Sequence, residues 1–246
     1  MDNSFEWIKH KNIAHRGYHN SKNDVPENSL KSISLAMDKN YAVEFDVRIS
    51  KDNTLYVIHD KNLKRLCGVD KKFESLHDKE IESLRLLGTN EIVPSRAQVL
   101  TLVDCRQPLM IEIKPTTRYK KLMEQLIIQL SNYKGRFVLQ SYSPIIISWL
   151  KKNHPHIIRG IITEGYGHSY QPIYPIWRLS QIKIWHKLAS PDFYNFNIKD
   201  LPNKRMSAYY NSGIPILSFT ARSQKDLDFV KTNYTNAVFE LFEPKK

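Results

Sequence analysis

The chain has 246 residues, with 37 Lys and Arg against 25 Asp and Glu, for a formal net charge of +12. This length fits one large core, and α/β barrels commonly fill it as a single domain. The charge suits phosphodiesters, anionic lipid surfaces or nucleic acid, but no zinc-finger spacing, RNP signature or basic-heptad region is present, so no nucleic-acid partner is expected. Cys67 and Cys105 stand far apart in no metal or redox spacing and are expected to be reduced thiols. The start, MDNSFEWIKHKN, has no apolar run of signal-peptide length, and no later stretch is long enough to span a bilayer; the expected location is cytoplasmic.

Apolar strand-like runs alternate with helix-like segments along the chain. Residues 12–17 read as the first strand and 28–39 as a helix. A second strand covers 42–50, and 55–60 is a further extended segment that delivers His59 beside it. Residues 61–107 hold two short helical patterns, at 78–86 and 96–104, and read as an insertion after the second strand. Strands follow at 109–114, 137–142, 157–163, 191–196, 214–220 and 237–242. Helices fit 119–131, 144–152, 176–187, 204–211 and 224–232. The pattern predicts a single domain built as a TIM-type (β/α)8 barrel, with residues 4–11 covering the place of a final outer helix.

Three of these strands put charge among apolar residues. They read Ile13-Ala14-His15-Arg16-Gly17, Val43-Glu44-Phe45-Asp46-Val47 and Ile111-Glu112-Ile113-Lys114-Pro115. Residues two apart in a strand share a side, so Glu44 pairs with Asp46 and Glu112 with Lys114. Carboxylates in such strands are costly to bury without a cation or proton. Three carboxylates, His15 and His59, Arg16 and Lys114 suit a metal-assisted attack on phosphate. Hard oxygen donors without cysteine favour Ca2+ or Mg2+ over zinc. Taken singly, each acid would read as a salt-bridged rim residue and each histidine as structural.

The run HRGYHNSKNDVPENSL, then EFDVRISKDNTLYVIHDKNLKRLCG, then IEIKP, resembles the glycerophosphodiester phosphodiesterase family. The family pattern is HRG, PEN, E-x-D, a strand ending in HD, and E-x-K, in that order and at about this spacing. LQSYSP and GIPILSFTARS resemble its downstream strands, so the likeness covers nearly the whole chain. The resemblance implies a phospholipase-C-like barrel that hydrolyses glycerophosphodiesters to glycerol 3-phosphate and an alcohol. It also implies a divalent ion on Glu44, Asp46 and Glu112, and acid–base roles for His15 and His59; of these, His15 is assigned the base and His59 the acid. Arg16 and Lys114 would bind phosphate oxygens. Glu27 and Asn28 would orient Arg16 or touch substrate, although Asn28 also suits a helix N-cap. Direct water attack and a cyclic phosphate intermediate both stay open.

Two stretches depart from the family. Pro94-Ser95-Arg96-Ala97-Gln98 stands where many relatives read P-T-L-E-E, and Phe219-Thr220-Ala221-Arg222 where they often read W-T-V-N. Two alternatives compete with the main reading: a lysophospholipase D-like activity on lysophospholipids, and a non-catalytic protein binding anionic lipid or nucleic acid. Tyr166–Lys187, rich in Tyr, Trp and Lys, is expected to shape access to the site, with peripheral membrane contact as its second reading. The H-E-x-x-H, G-x-S-x-G and G-x-G-x-x-G motifs are absent.

Overall fold

The computed structural model describes residues 5–20, 24–165 and 183–245. Strands and helices alternate in the order of a TIM-type (β/α)8 barrel, the expected fold class. The chain packs as two compact units, one of Ala14–Arg136 and one of Met1–Ile13 with Phe137–Lys246.

The Ala14–Arg136 unit follows β1 (Ile13–Ala14) with a helix at Leu30–Asp38, then β2 (Ala42–Ile49), β3 (Leu55–Val57) and β4 (Leu109–Ile113). The helix buries Ile33, Ala36 and Met37. Ser29 caps it by accepting the Ser32 N–H at 3.0 Å, the usual way a hydroxyl satisfies a first-turn donor. The cap is therefore Ser29, and Asn28 is free for another task. β2 is buried along its whole length, as strands of a parallel sheet covered on both faces are. It pairs in parallel with β4 and antiparallel with β3. Pairing with β3 carries β2 on to Ile49, so Glu44 and Asp46 lie within the strand, as the expected span of 42–50 has them.

The insertion folds around a core of its own, in which Leu63, Leu66, Phe73, Ile81 and Leu86 pack with Tyr56 and Ile58. The helix expected over 78–86 stops at Glu82, and Leu87 turns the chain at φ 51°. Arg96, in the departure from P-T-L-E-E, is buried and donates to Gln129 on the Tyr119–Ser131 helix.

The second unit holds β5 (Phe137–Ser141), β6 (Arg159–Thr163), β7 (Phe193–Asn197), β8 (Ile216–Ala221) and β9 (Asn236–Phe239). Each is a parallel neighbour of the next. Helices intervene at Pro144–Asn153, Lys183–Ala189, Lys204–Asn211 and Gln224–Asn233. β6 starts two residues later than expected because Ile157 N–H turns back to the His154 carbonyl at 3.1 Å. The N-terminal residues pack beside β9 as expected of a helix substitute. Asn236 Nδ2 donates to the carbonyls of Ile8 (2.9 Å) and Lys11 (2.8 Å), and Trp7 and Ile8 are buried. Of the aromatic and basic segment singled out above, residues 166–182 lie outside the described residues. Among the described residues no helix is long and apolar enough to cross a membrane.

Candidate active site

The ladder between β2 and β4 sets Asp46 directly opposite Glu112, with Glu44 opposite Met110. A parallel register puts such partners on one face, and the two-residue period adds Glu44 to it. All three carboxylates are buried, and each offers an oxygen within 4.8 Å of those offered by the others. Lys114, one residue beyond β4, continues the ladder by donating its backbone N–H to the Val47 carbonyl at 3.1 Å. Its ammonium lies 2.5 Å from Glu112 Oε1 and 2.9 Å from Asp46 Oδ1.

The HRG turn closes over this face. Arg16 and Gly17 have φ of 52° and 76°, a region that non-glycine residues enter at a cost and that clusters at functional sites. The turn delivers the Arg16 N–H to Glu44 Oε2 at 2.9 Å. Position 17 must be glycine twice over, because a Cβ there would meet Ser32 Oγ at 2.5 Å and the Ser32 carbonyl carbon at 2.7 Å. The Arg16 guanidinium bonds Glu27 Oε1 at 2.6 Å and lies 3.4 Å from Asp46 Oδ2. Asn28 Nδ2 donates to that same Asp46 oxygen at 2.8 Å. Glu27 thus bonds Arg16, whereas Asn28 bonds the carboxylate and leaves the helix cap to Ser29.

The three acids share a face, and their surroundings push their pKa values in different directions. Burial, with Asp46 and Glu112 beside it, pushes the Glu44 carboxyl well above its ordinary range. Burial also raises Glu112, against the pull of Lys114. For Asp46 burial works in the same direction, but Lys114, His59, Arg16 and the Asn28 amide outweigh it and hold the group well below its ordinary value. Among the described residues, Asp46 Oδ1 is buried without a well-directed hydrogen bond despite the nearby ammonium.

Ile58 N–H donates to the Asp46 carbonyl at 3.0 Å, so β3 brings His59 alongside the carboxylate strand. Arg48 Nε fixes the His59 carbonyl at 2.9 Å. His59 Nδ1 lies 2.9 Å from Asp60 Oδ1. His59 and Arg65 together drive the Asp60 carboxyl down against the effect of burial. An ionised Asp60 can only accept, so Nδ1 carries the proton and Nε2 presents a lone pair. Burial, then the Lys114 charge, lowers the His59 pKa to about 4. His15, half-buried, directly precedes Arg16.

Arg65 joins the two carboxylates behind these groups, bonding Glu27 at 2.7 and 2.8 Å and Asp60 at 2.8 Å twice. The sequence reading gave no role to Arg65, Asp60 or Arg48. Asp60 had a visible signal in its place after His59; Arg65 is 38 residues from Glu27 and had none.

The donor set fits a hard divalent cation. It offers three carboxylates, two of which are pushed toward protonation by burial and mutual repulsion, and a buried oxygen that meets the Lys114 ammonium but has no well-directed hydrogen bond. A cation would relieve all three conditions.

Residues 15–239 match the Glycerophosphoryl diester phosphodiesterase family. The chain is 27% identical over 232 residues to the glycerophosphodiester phosphodiesterase of Caldanaerobacter subterraneus subsp. tengcongensis, spanning 88% of this chain and 87% of the relative. It is 26% identical over 244 residues to that of Bacillus altitudinis, spanning 94% of each. A phosphodiesterase of Oleispira antarctica, solved with the product sn-glycerol-3-phosphate, shares the fold at a TM-score of 0.81 and 20% identity, over 96% of this chain and 94% of that one. With the match running across so much of its length, the chain belongs to the glycerophosphoryl diester phosphodiesterase family and is a phosphoric diester hydrolase.

Proposed function

We propose that this enzyme hydrolyses glycerophosphodiesters to glycerol 3-phosphate and an alcohol, using Ca2+ or Mg2+ held by Glu44, Asp46 and Glu112. The observation that carries the reading is the buried trio itself, whose ligand oxygens lie within 4.8 Å of one another. When bound, the ion would polarise the phosphate as a Lewis acid. Arg16 and Lys114 would grip phosphate oxygens and stabilise charge that develops as the diester is attacked.

His59 and His15 would share the proton transfers. With its Nε2 lone pair exposed by the Asp60 contact, His59 is suited to take the first proton. That leaves His15 to protonate the departing alkoxide, the reverse of the order assigned from sequence. Glu27 and Asn28 would work through Arg16 and Asp46, on the evidence of their hydrogen bonds.

Release of glycerol 3-phosphate should be measured over a panel of glycerophosphodiesters and lysophospholipids, after exhaustive chelation and again after adding Ca2+ or Mg2+. The expected result is turnover of the diesters that disappears on chelation and returns with the metal. Full turnover in chelator would overturn the metal assignment, and exclusive use of lysolipids would replace the substrate.

A further inference from the structure

We infer that Arg65 is a positioning residue for the reaction: it ties the carboxylate that orients His59 to the carboxylate that orients Arg16, and so fixes the proton-transfer group relative to the phosphate clamp. The inference rests on the roles proposed above for His59 and Arg16.

The bonding is specific to atoms. Arg65 Nη1 and Nη2 fork onto Glu27 Oε2 and Oε1 at 2.7 and 2.8 Å. Nε and Nη2 fork onto Asp60 Oδ2 and Oδ1, both at 2.8 Å. The shared nitrogen, Nη2, thus reaches the two oxygens that face the site. Glu27 Oε1 is the atom that accepts from Arg16 Nη1 at 2.6 Å, and Asp60 Oδ1 is the atom beside His59 Nδ1 at 2.9 Å. A continuous chain runs His59–Asp60–Arg65–Glu27–Arg16. Rotation of either carboxylate would break one fork and move the group it holds.

Only a planar guanidinium presents donors on two edges in this way. A lysine keeps the charge but offers one compact ammonium without the fork. The His59, Asp60 and Glu27 ligand atoms also lie within 4.8 Å of one another, a grouping that would otherwise suggest a second metal. Arg65 already supplies the cation those carboxylates need.

A role confined to stability fits poorly. The Arg65 side chain is 50% exposed, although Glu27 and Asp60 are largely buried, and it stands on a four-residue helix, Lys64–Cys67, of the insertion, where solvent screens its share of the pairing. What Arg65 fixes is geometry, and outer-shell contacts of this kind typically govern activity by about 10–100-fold.

The experiment compares kcat, KM and metal affinity in Arg65→Ala, Arg65→Lys and His59→Ala, with a short soluble diester. Arg65→Ala should lose about 10–100-fold in kcat, with metal affinity retained. Arg65→Lys should stay near the alanine variant, and added guanidinium should restore Arg65→Ala where ammonium does not. Asp60→Asn combined with Arg65→Ala should cost less than the product of the two single losses, since both cut the same chain. If Arg65→Ala does not fold, Arg65→Lys carries the same test. An inactive His59→Ala beside an unimpaired Arg65→Ala or Arg65→Lys would overturn this inference alone. Full rescue by lysine would also overturn it, reducing the residue to a charge. An active, folded His59→Ala would overturn the underlying reading and this inference with it.

Discussion

Asn28 grips Asp46 through both halves of its amide: Nδ2 donates to Asp46 Oδ2 at 2.8 Å, and Oδ1 accepts the Asp46 backbone N–H at 3.3 Å. On its other side Asp46 Oδ1 meets the Lys114 ammonium at 2.9 Å without a well-directed hydrogen bond. Asn28 sits at φ 60°, which asparagine and aspartate tolerate better than most residues.

Asn28→Asp therefore tests the amide without changing backbone tolerance or size. It replaces the donor that faces Asp46 Oδ2 with a second negative charge. Turnover at saturating metal should fall by about 10–100-fold, as for other groups that orient a ligand. An unchanged kcat in the folded variant would show that Asp46 needs no such partner.

Glu44→Gln and Asp46→Asn should both abolish metal-dependent turnover, yet move stability in opposite directions. Asp46 has a depressed pKa in the fold, so its contribution is present above its ordinary value and is lost as pH falls through the folded one. Glu44 has a raised pKa; its contribution is full below its ordinary value and is lost as pH rises through the folded one. At neutral pH without metal, the Glu44 charge is thus a cost. Glu44→Gln should hold or raise the melting temperature in chelator. Asp46→Asn should lower stability, because it removes the charge that Lys114 and Arg16 approach, although Lys114 keeps Glu112 and Arg16 keeps Glu27. Thermal melts of the two variants in chelator decide the matter, and the reverse order would contradict the opposite pKa directions of Glu44 and Asp46.

Metal binding should release protons. Glu44 and Glu112 both hold protons above the ordinary carboxylate range, and a cation displaces them. Affinity for Ca2+ or Mg2+ should therefore rise with pH through the range in which those groups titrate. Calorimetric titration in two buffers of different ionisation enthalpy measures the protons released. Glu44→Gln should release fewer protons, and equal release would assign the proton elsewhere.

The carboxylate trio was legible because a strand's two-residue period is written directly in Glu44-Phe45-Asp46 and Glu112-Ile113-Lys114. The β2–β4 register then needed only a parallel sheet to bring Asp46 and Glu112 together. Strand ends were legible for β2, expected over 42–50 and found at Ala42–Ile49, and less so for β6, which starts at Arg159 because Ile157 N–H turns back to the His154 carbonyl, a turn with no local signal. Ser29 took the cap expected of Asn28 because the chain at Asn28 turns toward Asp46, 18 residues away. Nor could the split between Glu44 and Asp46 be read from sequence. It depends on which carboxylate Lys114, His59 and Arg16 approach, and sequence spacing does not fix that.

The histidine pair gives the sharpest kinetic expectation. A general base works only when deprotonated, so kcat/KM should fall on the acid side through the pKa of the base. For His59 that value is held down to about 4 from an ordinary 6.5, so with metal kept saturating the acid limb should lie well below the ordinary histidine range. Burial is the largest cause and Lys114 the next; Lys114→Met should therefore move the acid limb part of the way back toward neutrality, whatever it does to kcat. Either His→Ala change should cost about 10²–10⁴-fold in turnover. The double variant should cost less than the product of the two single losses, as cooperating catalytic groups do. A diester with a nitrophenolate leaving group needs no acid, so it should recover activity in His15→Ala and not in His59→Ala. Recovery in His59→Ala alone would restore the order assigned from sequence, with His15 as base and His59 as acid.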